Sequence, residues 1–199
     1  PITFGIAVDY GANVISRVDR RRTVLPALAE VGPAVVLCSW TTIVGYGSLL
    51  LSINRALRDK PAGMTVTTHM CRGNFRSSWV AEGGYDFVAD ALFNQLTVDG
   101  YFMEFDDERS GGFAPLRFVP KGKYVVLGLV TSKKGELEAK DDIKRRIEEA
   151  SKFVDIDQLC LSPQCGFSST LDGNSLSRDE QIAKLRLVAE TAEEVWGTR

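Results

Sequence analysis

Histidine is almost missing from this sequence: one, His69, stands in 199 residues. A centre built on several imidazoles is excluded, and any chemistry at His69 must draw on side chains of other types. Long apolar runs are missing too. No stretch of about 18 apolar residues occurs, so no transmembrane helix is expected. The first residues lack the basic, apolar and small-residue regions of a secretory signal, so none is expected there. An excess of one charge sign is also lacking. A net charge of −2 gives nothing to draw in nucleic acid or an anionic membrane, and neither is expected as a partner. The basic cluster "DRRR" (Asp19 to Arg22) reads as a solvated face. Cysteine is scarce, at four residues. With no secretory signal, a reducing, cytoplasmic setting is expected. There, spaced Cys and His residues are metal ligands or catalytic groups more often than disulfides. No Gly-x-Gly-x-x-Gly follows any strand-like run, which counts against a dinucleotide site.

What is present is ordinary for a globular domain with a sizeable core: 44% hydrophobic and 25% charged residues, in a chain too short for most two-domain arrangements. From about Thr65 the pattern alternates. "MTVTTHM" (Met64 to Met70) is β-branched with period two, and reads as a strand. "YDFVADALFNQL" (Tyr85 to Leu96) has apolar residues at helical spacing. "GYFMEF" is a short apolar strand, followed by the polar loop "DDERSGGFAP". "YVVLGLV" (Tyr124 to Val130) is a continuous apolar run, expected of a strand covered on both faces. "AKDDIKRRIEEASKFV" is an amphipathic helix with Asp141 and Asp142 in its first turn, where the helix dipole favours them. "DQLCLSP" is a strand stopped by Pro163. "SRDEQIAKLRLVAETAEEVW" is a long helix, and Ser177 with Glu180 fits a capping box. Four strand–helix units follow, the second with little helix. They predict a parallel α/β sheet, either doubly wound and open or part of a (β/α)8 barrel.

In such a sheet the C-terminal strand ends open on one face. His69 and Cys71 end the first strand, Glu104 ends the second, and Cys165 lies just past the fourth. The four converge on one rim. One imidazole, two thiols and a carboxylate suit zinc, which favours thiolate and imidazole and accepts a carboxylate. Each has a plainer reading. A lone strand-end His is more often simply hydrogen bonded, Cys71 alone would be a small hydrophobe, Glu104 could pair with Arg72 or Arg109, and Cys165–Gly166 could be a turn. Cys160, inside "QLCLS", reads as a core residue. Arg72, Asn74, Asp106 and Arg109 stand on the same face as weaker substrate-binding candidates. For Asp106 and Arg109, an ion-pair network in the loop is the preferred reading.

The stretches "HMCRGNFRSSWVAEGGY", "YFMEFDDERSGGFAPLRFVPKGK", "VVLGLVTSKKGELE" and "LSPQCGFSST" carry a resemblance. From about Ile53 to Trp196 the chain resembles the catalytic barrel of cobalamin-independent methionine synthase, in particular its single-domain bacterial members. The resemblance implies a (β/α)8 TIM-barrel fold, here its C-terminal half. It implies zinc held by His69, Cys71, Glu104 and Cys165 at the barrel mouth. It also implies methyl transfer to the thiol of homocysteine from a methylated folate or a corrinoid donor. The alternative is a zinc-binding module without catalysis; a zinc-free, decarboxylase-like barrel is disfavoured by the four ligands.

Residues 1–52 do not match and lack clean punctuation, apart from a helix expected from about Leu50 to Lys60. The family carries Leu-Gln-x-Asp-Asp/Glu, which holds the homocysteine amine, shortly before its His-x-Cys strand; here "LCSWTT" (Leu37 to Thr42) stands in that place. The codons CTG-CAG-CTG-GAC-GAC encode Leu-Gln-Leu-Asp-Asp, and one base later they read Cys-Ser-Trp-Thr-Thr, as in Cys38 to Thr42. Residues 1–52 are therefore read as an out-of-frame or divergent segment before the half-barrel of 53–199. A half-barrel has two unpaired edges, so self-association is expected.

Overall fold

The computed structural model describes residues 48, 50–78, 81–168, 171 and 173–197. The chain divides into two compact units, Pro1–Ala56 and Leu57–Arg199. Cys38 to Thr42, on which the reading-frame argument turns, lie outside the described residues. Residues 50–56 are helical. The helix stops short of the expected Lys60 because that residue precedes Pro61, and a residue before proline is held away from helical dihedrals. The second unit carries the sheet and every candidate site residue.

Among the described residues, that unit is built on one sheet of four strands: β1 (Thr67–Met70), β2 (Gly100–Glu104), β3 (Tyr124–Val130) and β4 (Leu159–Pro163). Their spatial order is their sequence order, and every adjacent pair is parallel. A doubly wound sheet reverses its strand order at a switch point. This sheet does not, and its consecutive order is that of one arc of a (β/α)8 barrel wall. Three helices accompany it: α1 (Ala89–Gln95), α2 (Lys140–Ser151) and α3 (Arg178–Trp196). After β2 the crossover holds two short 3-10 turns, Glu108–Ser110 and Ala114–Phe118, in place of a helix.

Pleating separates two faces. The register sets Tyr101 beside Val125 and Met103 beside Leu127, with Leu159 paired to Val125. All five are buried. The helices supply matching apolar positions: Leu92 and Phe93 in α1, Ile143, Ile147 and Ala150 in α2, Leu187 in α3. The Phe93 and Tyr101 rings meet edge to face at 4.9 Å, and the Tyr101 hydroxyl donates to the Leu92 carbonyl at 3.1 Å. Side chains of this kind contribute about 1.5–3 kcal/mol each when fully buried. The other face runs His69, Phe102, Val126, Cys160 across the four strands. It is only partly covered among the described residues: His69 is exposed, and Phe102 and Cys160 are half-buried. In a barrel this is the inward face.

The element types match the sequence reading, and three starts shift. β4 begins at Leu159 instead of Asp157, because Asp157 and Gln158 close a 3-10 turn capped by the Asp155 side chain. β1 begins at Thr67 instead of Met64, because the Val66 N–H is taken by the Asp99 carboxylate at 2.7 Å, which also pairs with Lys60. α1 begins at Ala89 instead of Tyr85, since Tyr85 is drawn toward the strand ends by its hydroxyl, which donates to the Met70 carbonyl at 3.0 Å and accepts from the Glu104 N–H at 2.9 Å. The capping box on α3 is present, with the Ser177 side chain accepting from Glu180 N and the Glu180 side chain accepting from Ser177 N.

Gly128 in β3 lets β4 close onto the rim. A Cβ there would lie 2.9 Å from Gln164 Cα and 2.9 Å from the Met103 carbonyl oxygen, both main-chain atoms that cannot step aside. Gly128→Ala is therefore expected to cost about 1–3 kcal/mol, as overpacking does. Urea denaturation checks it; an unchanged midpoint would show that the strand ends are not in close contact.

Candidate metal centre

The C-terminal end of β1 carries His69, and Cys71 follows one residue past the strand. Cys165 follows β4 by two residues. Because all strands run the same way, these ends meet on one rim. The ligand atoms of His69, Cys71 and Cys165 lie within 4.8 Å of one another. Cys165 Sγ is 3.3 Å from His69 Nε2. Ligand atoms around a tetrahedral zinc are about 3.5 Å apart, given bonds of about 2.0–2.3 Å. One ion can therefore bridge this group without rearrangement of the strands.

Glu104 stands beside the three, outside their 4.8 Å circle. Its carboxylate is 1% exposed. Oε2 accepts the Arg72 N–H, and Oε1 accepts Lys133 Nζ at 2.9 Å. Burial pushes the Glu104 carboxyl up, against the pull of the Arg72 N–H and the Lys133 ammonium. Lys133 is buried too. Desolvation opposes its charge, but the Asp106 and Glu104 carboxylates outweigh this and hold its pKa above the usual lysine value.

The thiols are tuned in opposite directions. Hydrogen bonds from Cys165 and then His69 pull Cys71 down to about 4, so that it is a thiolate at neutral pH. That thiolate raises His69 through its hydrogen bond. Cys165, as the donor to Cys71, is pushed up. Behind Cys165 runs a directed chain of buried donors. Asn74 Nδ2 donates to Ser132 Oγ at 3.1 Å, Ser132 Oγ to Gln164 Oε1 at 3.2 Å, and Gln164 Nε2 to Cys165 Sγ at 2.9 Å. A donor aimed at sulfur favours its thiolate, the form that binds a metal.

The remaining predicted site residues divide between bracing and exposure. The Arg72 guanidinium is consumed by backbone carbonyls. Nε donates to Gly83 O at 2.9 Å, one terminal nitrogen to Glu104 O at 3.2 Å, and the other to Ser110 O at 3.2 Å and to Gly83 O. It also lies 3.9 Å over the Tyr85 ring. Arg72 thus ties the loops after β1 and β2 together. Asn74 is spent on Ser132 and on the Ser77 N–H. Asp106 pairs with Lys133 at 3.0 Å, a partner from the loop after β3 and not from its own loop. Arg109 is exposed and lines a cleft of ≈ 460 Å³ with Glu82, Gly83, Gly84, Glu108 and Gly111. Cys160 sits mid-strand, away from the three ligand atoms.

A second cavity of ≈ 320 Å³ adjoins the ligand group. His69, Phe102, Ser162, Pro163, Gln164, Cys165 and Gly166 line it. Sequence reasoning missed Lys133, Ser132 and Gln164. The first two follow the apolar run of β3, and Gln164 precedes Cys165. Their only signal was position just past a strand end on the same rim.

With this rim in place, comparison with known proteins is decisive for the family. The family described as "Cobalamin-independent synthase, Catalytic domain" matches residues 56–194. The chain belongs to that family. Two relatives in Bacillus subtilis (strain 168), named only as uncharacterized proteins YxjG and YxjH, are 62% and 58% identical over 146 residues. That span is 73% of this chain and 39% of each of theirs. A solved structure from Listeria monocytogenes, provisionally named a vitamin-B12-independent methionine synthase, aligns with TM-score 0.58 and 39% identity over 75% of this chain and 40% of that one. A B12-independent methionine synthase from Shewanella, solved with selenomethionine, aligns with TM-score 0.59 at 20% identity, over 73% of this chain and 42% of that one. At that identity it supports the fold alone. This member of the cobalamin-independent synthase family thus spans about two fifths of the length of the relatives it matches.

The thiol tuning is testable on metal-free protein. Cys71 has a depressed pKa, so its reactive form is present throughout neutral pH. Its alkylation by iodoacetamide should proceed at a nearly constant rate from about pH 6 to about pH 8, whereas an ordinary thiol gains about tenfold per unit below its pKa. Peptide mass spectrometry resolves the site, and a steep rise at Cys71 would refute the His69 and Cys165 hydrogen bonds as its cause.

Proposed function

We propose that this chain carries the zinc-binding rim of a cytoplasmic methyltransferase that moves a methyl group onto the thiol of homocysteine or a similar small thiol. The methyl donor in this reading is a methylated folate or a corrinoid. The single observation that supports it best is the meeting of His69, Cys71 and Cys165 within 4.8 Å on the C-terminal rim, in a chain of this family. The donor set fits zinc on chemical grounds: two sulfurs and an imidazole nitrogen match its borderline-soft preference. Glu104 is proposed as the fourth protein ligand, supplied from β2.

When bound there, zinc would lower the pKa of an incoming thiol, so that a sulfur nucleophile is available at neutral pH. The protein's own residues do the rest. Gln164 steadies the Cys165 sulfur through its Nε2–H. Tyr85 holds the ends of β1 and β2 at one level by bonding both main chains. Phe102 and Pro163 wall the adjoining cavity with apolar surface, which suits the methylene chain of a small thiol and keeps water from the reacting sulfur.

β1 and β4 are the sheet's edges among the described residues, and self-association through them is part of the same proposal.

Two measurements test this reading. Zinc retained after dialysis should be one ion per chain, and Cys165→Ser should reduce it to background; zinc retained by that variant would overturn the ligand assignment. In cobalt-substituted protein, homocysteine should intensify the sulfur-to-metal charge-transfer band. An unchanged band would turn the reading toward a closed, non-catalytic metal module.

A further inference from the structure

Lys133 lies where an ammonium is hard to explain by fold stability alone. Its side chain is 3% exposed, and it bridges Glu104 Oε1 at 2.9 Å and Asp106 Oδ2 at 3.0 Å, in carboxylates that are 1% and 2% exposed. An ammonium has three N–H donors, and these two contacts use two of them. Asp106 Oδ1, meanwhile, is buried and has no hydrogen-bond partner. A buried acceptor left bare is costly and rare, and calls for an account.

We propose that Lys133 and Asp106 form a latch on Glu104, with Lys133 as the positioning residue. In the structure Lys133 holds the Glu104 carboxylate. When Glu104 turns to the metal, Lys133 settles on Asp106 alone, and the bare Oδ1 accepts the donor that Glu104 gives up. The proposal rests on the reading that His69, Cys71 and Cys165, completed by Glu104, bind zinc.

The physical reason lies in the burial of all three groups. If Glu104 left Lys133 with nothing in exchange, a buried cation would lose half its compensation, a penalty that can exceed the gain of one ligand bond. A second acceptor on Asp106 removes that penalty. The vacant oxygen is thus explained as a reserved place for the ammonium. The Arg72 N–H on Oε2 gives Glu104 a fixed pivot for the exchange.

Zinc affinity of the whole chain, measured by competition with a chromophoric chelator, tests the latch without recourse to activity. Asp106→Asn removes the anion that draws Lys133 away, so Lys133 competes for Glu104. Affinity should fall about tenfold or more, as for other residues that orient metal ligands. Adding Lys133→Met to that variant removes the competitor, and affinity should return to the wild-type value or rise above it. Asp106→Asn binding as tightly as wild type, or a double variant as weak as the single one, would overturn the latch, because a merely structural Asp106 gives no such rescue. Circular dichroism reports whether each variant folds. If Asp106→Asn does not, Lys133→Met alone decides: tighter zinc supports the latch, and unchanged or weaker zinc overturns it. Cys165→Ser in the same assay keeps the two readings apart. If that variant still binds zinc, the ligand site itself is wrong; if it does not, a failure among the other variants falls on the latch alone.

Discussion

A carboxylate buried to 1% exposure cannot remain charged without partners on every side. Glu104 is in that position, and much of the rim can be derived from its requirement. Arg72 supplies a main-chain N–H to one oxygen, and Lys133 supplies an ammonium to the other. Each partner must then be held. The Arg72 side chain is locked onto the carbonyls of Gly83, Glu104 and Ser110. The loop carrying Lys133 is pinned at Thr131, whose N–H bonds the Glu138 carboxylate, and Glu138 is in turn fixed by the buried Lys184 of α3. One buried charge thereby couples the loops after β1, β2 and β3 and reaches the last helix.

The same geometry leaves the chemical side chains accessible. The helix-covered face of the sheet carries the large apolar residues, and the opposite face carries His69, Phe102 and Cys160 with only partial cover among the described residues. At the rim the sulfur and imidazole donors face a cavity of ≈ 320 Å³, while the ionic network lies behind them. This division suits a metal centre. The His69 and Cys165 side chains stand at the opening, and the charged groups behind them are shielded from water, where electrostatic interactions are stronger.

Much of this was legible from the residue pattern. The continuous apolar run of β3, the buried spacing of Ile143 and Ile147, and the Ser177–Glu180 capping box all act over a few residues, so local chemistry determines them. His69, Cys71 and Cys165 were legible for another reason. Parallel strands in consecutive order bring all C-terminal ends to one rim, so position in the strand predicts position in space. The start of α1 was misread because a long-range bond decides it: the Tyr85 hydroxyl reaches two strand ends and takes those residues out of the helical path. Arg72 and Asn74 were weaker substrate-binding candidates, and their donors face protein atoms here. A guanidinium or carboxamide near a site has the same sequence signature whether its donors face a ligand or the protein's own carbonyls.

The sequence by itself determined the order and type of the elements, the parallel sheet, and the identity of three donors that share a metal-sized space. Periodicity and strand direction are enough for these. Only the tertiary structure decided what stands behind the donors. The seating of Glu104 between Arg72 and Lys133, the Asn74–Ser132–Gln164 links behind Cys165, and the bare oxygen of Asp106 depend on groups separated by about thirty residues or more in the chain. Such contacts are set by how the loops pack, and a one-dimensional pattern carries no record of that packing.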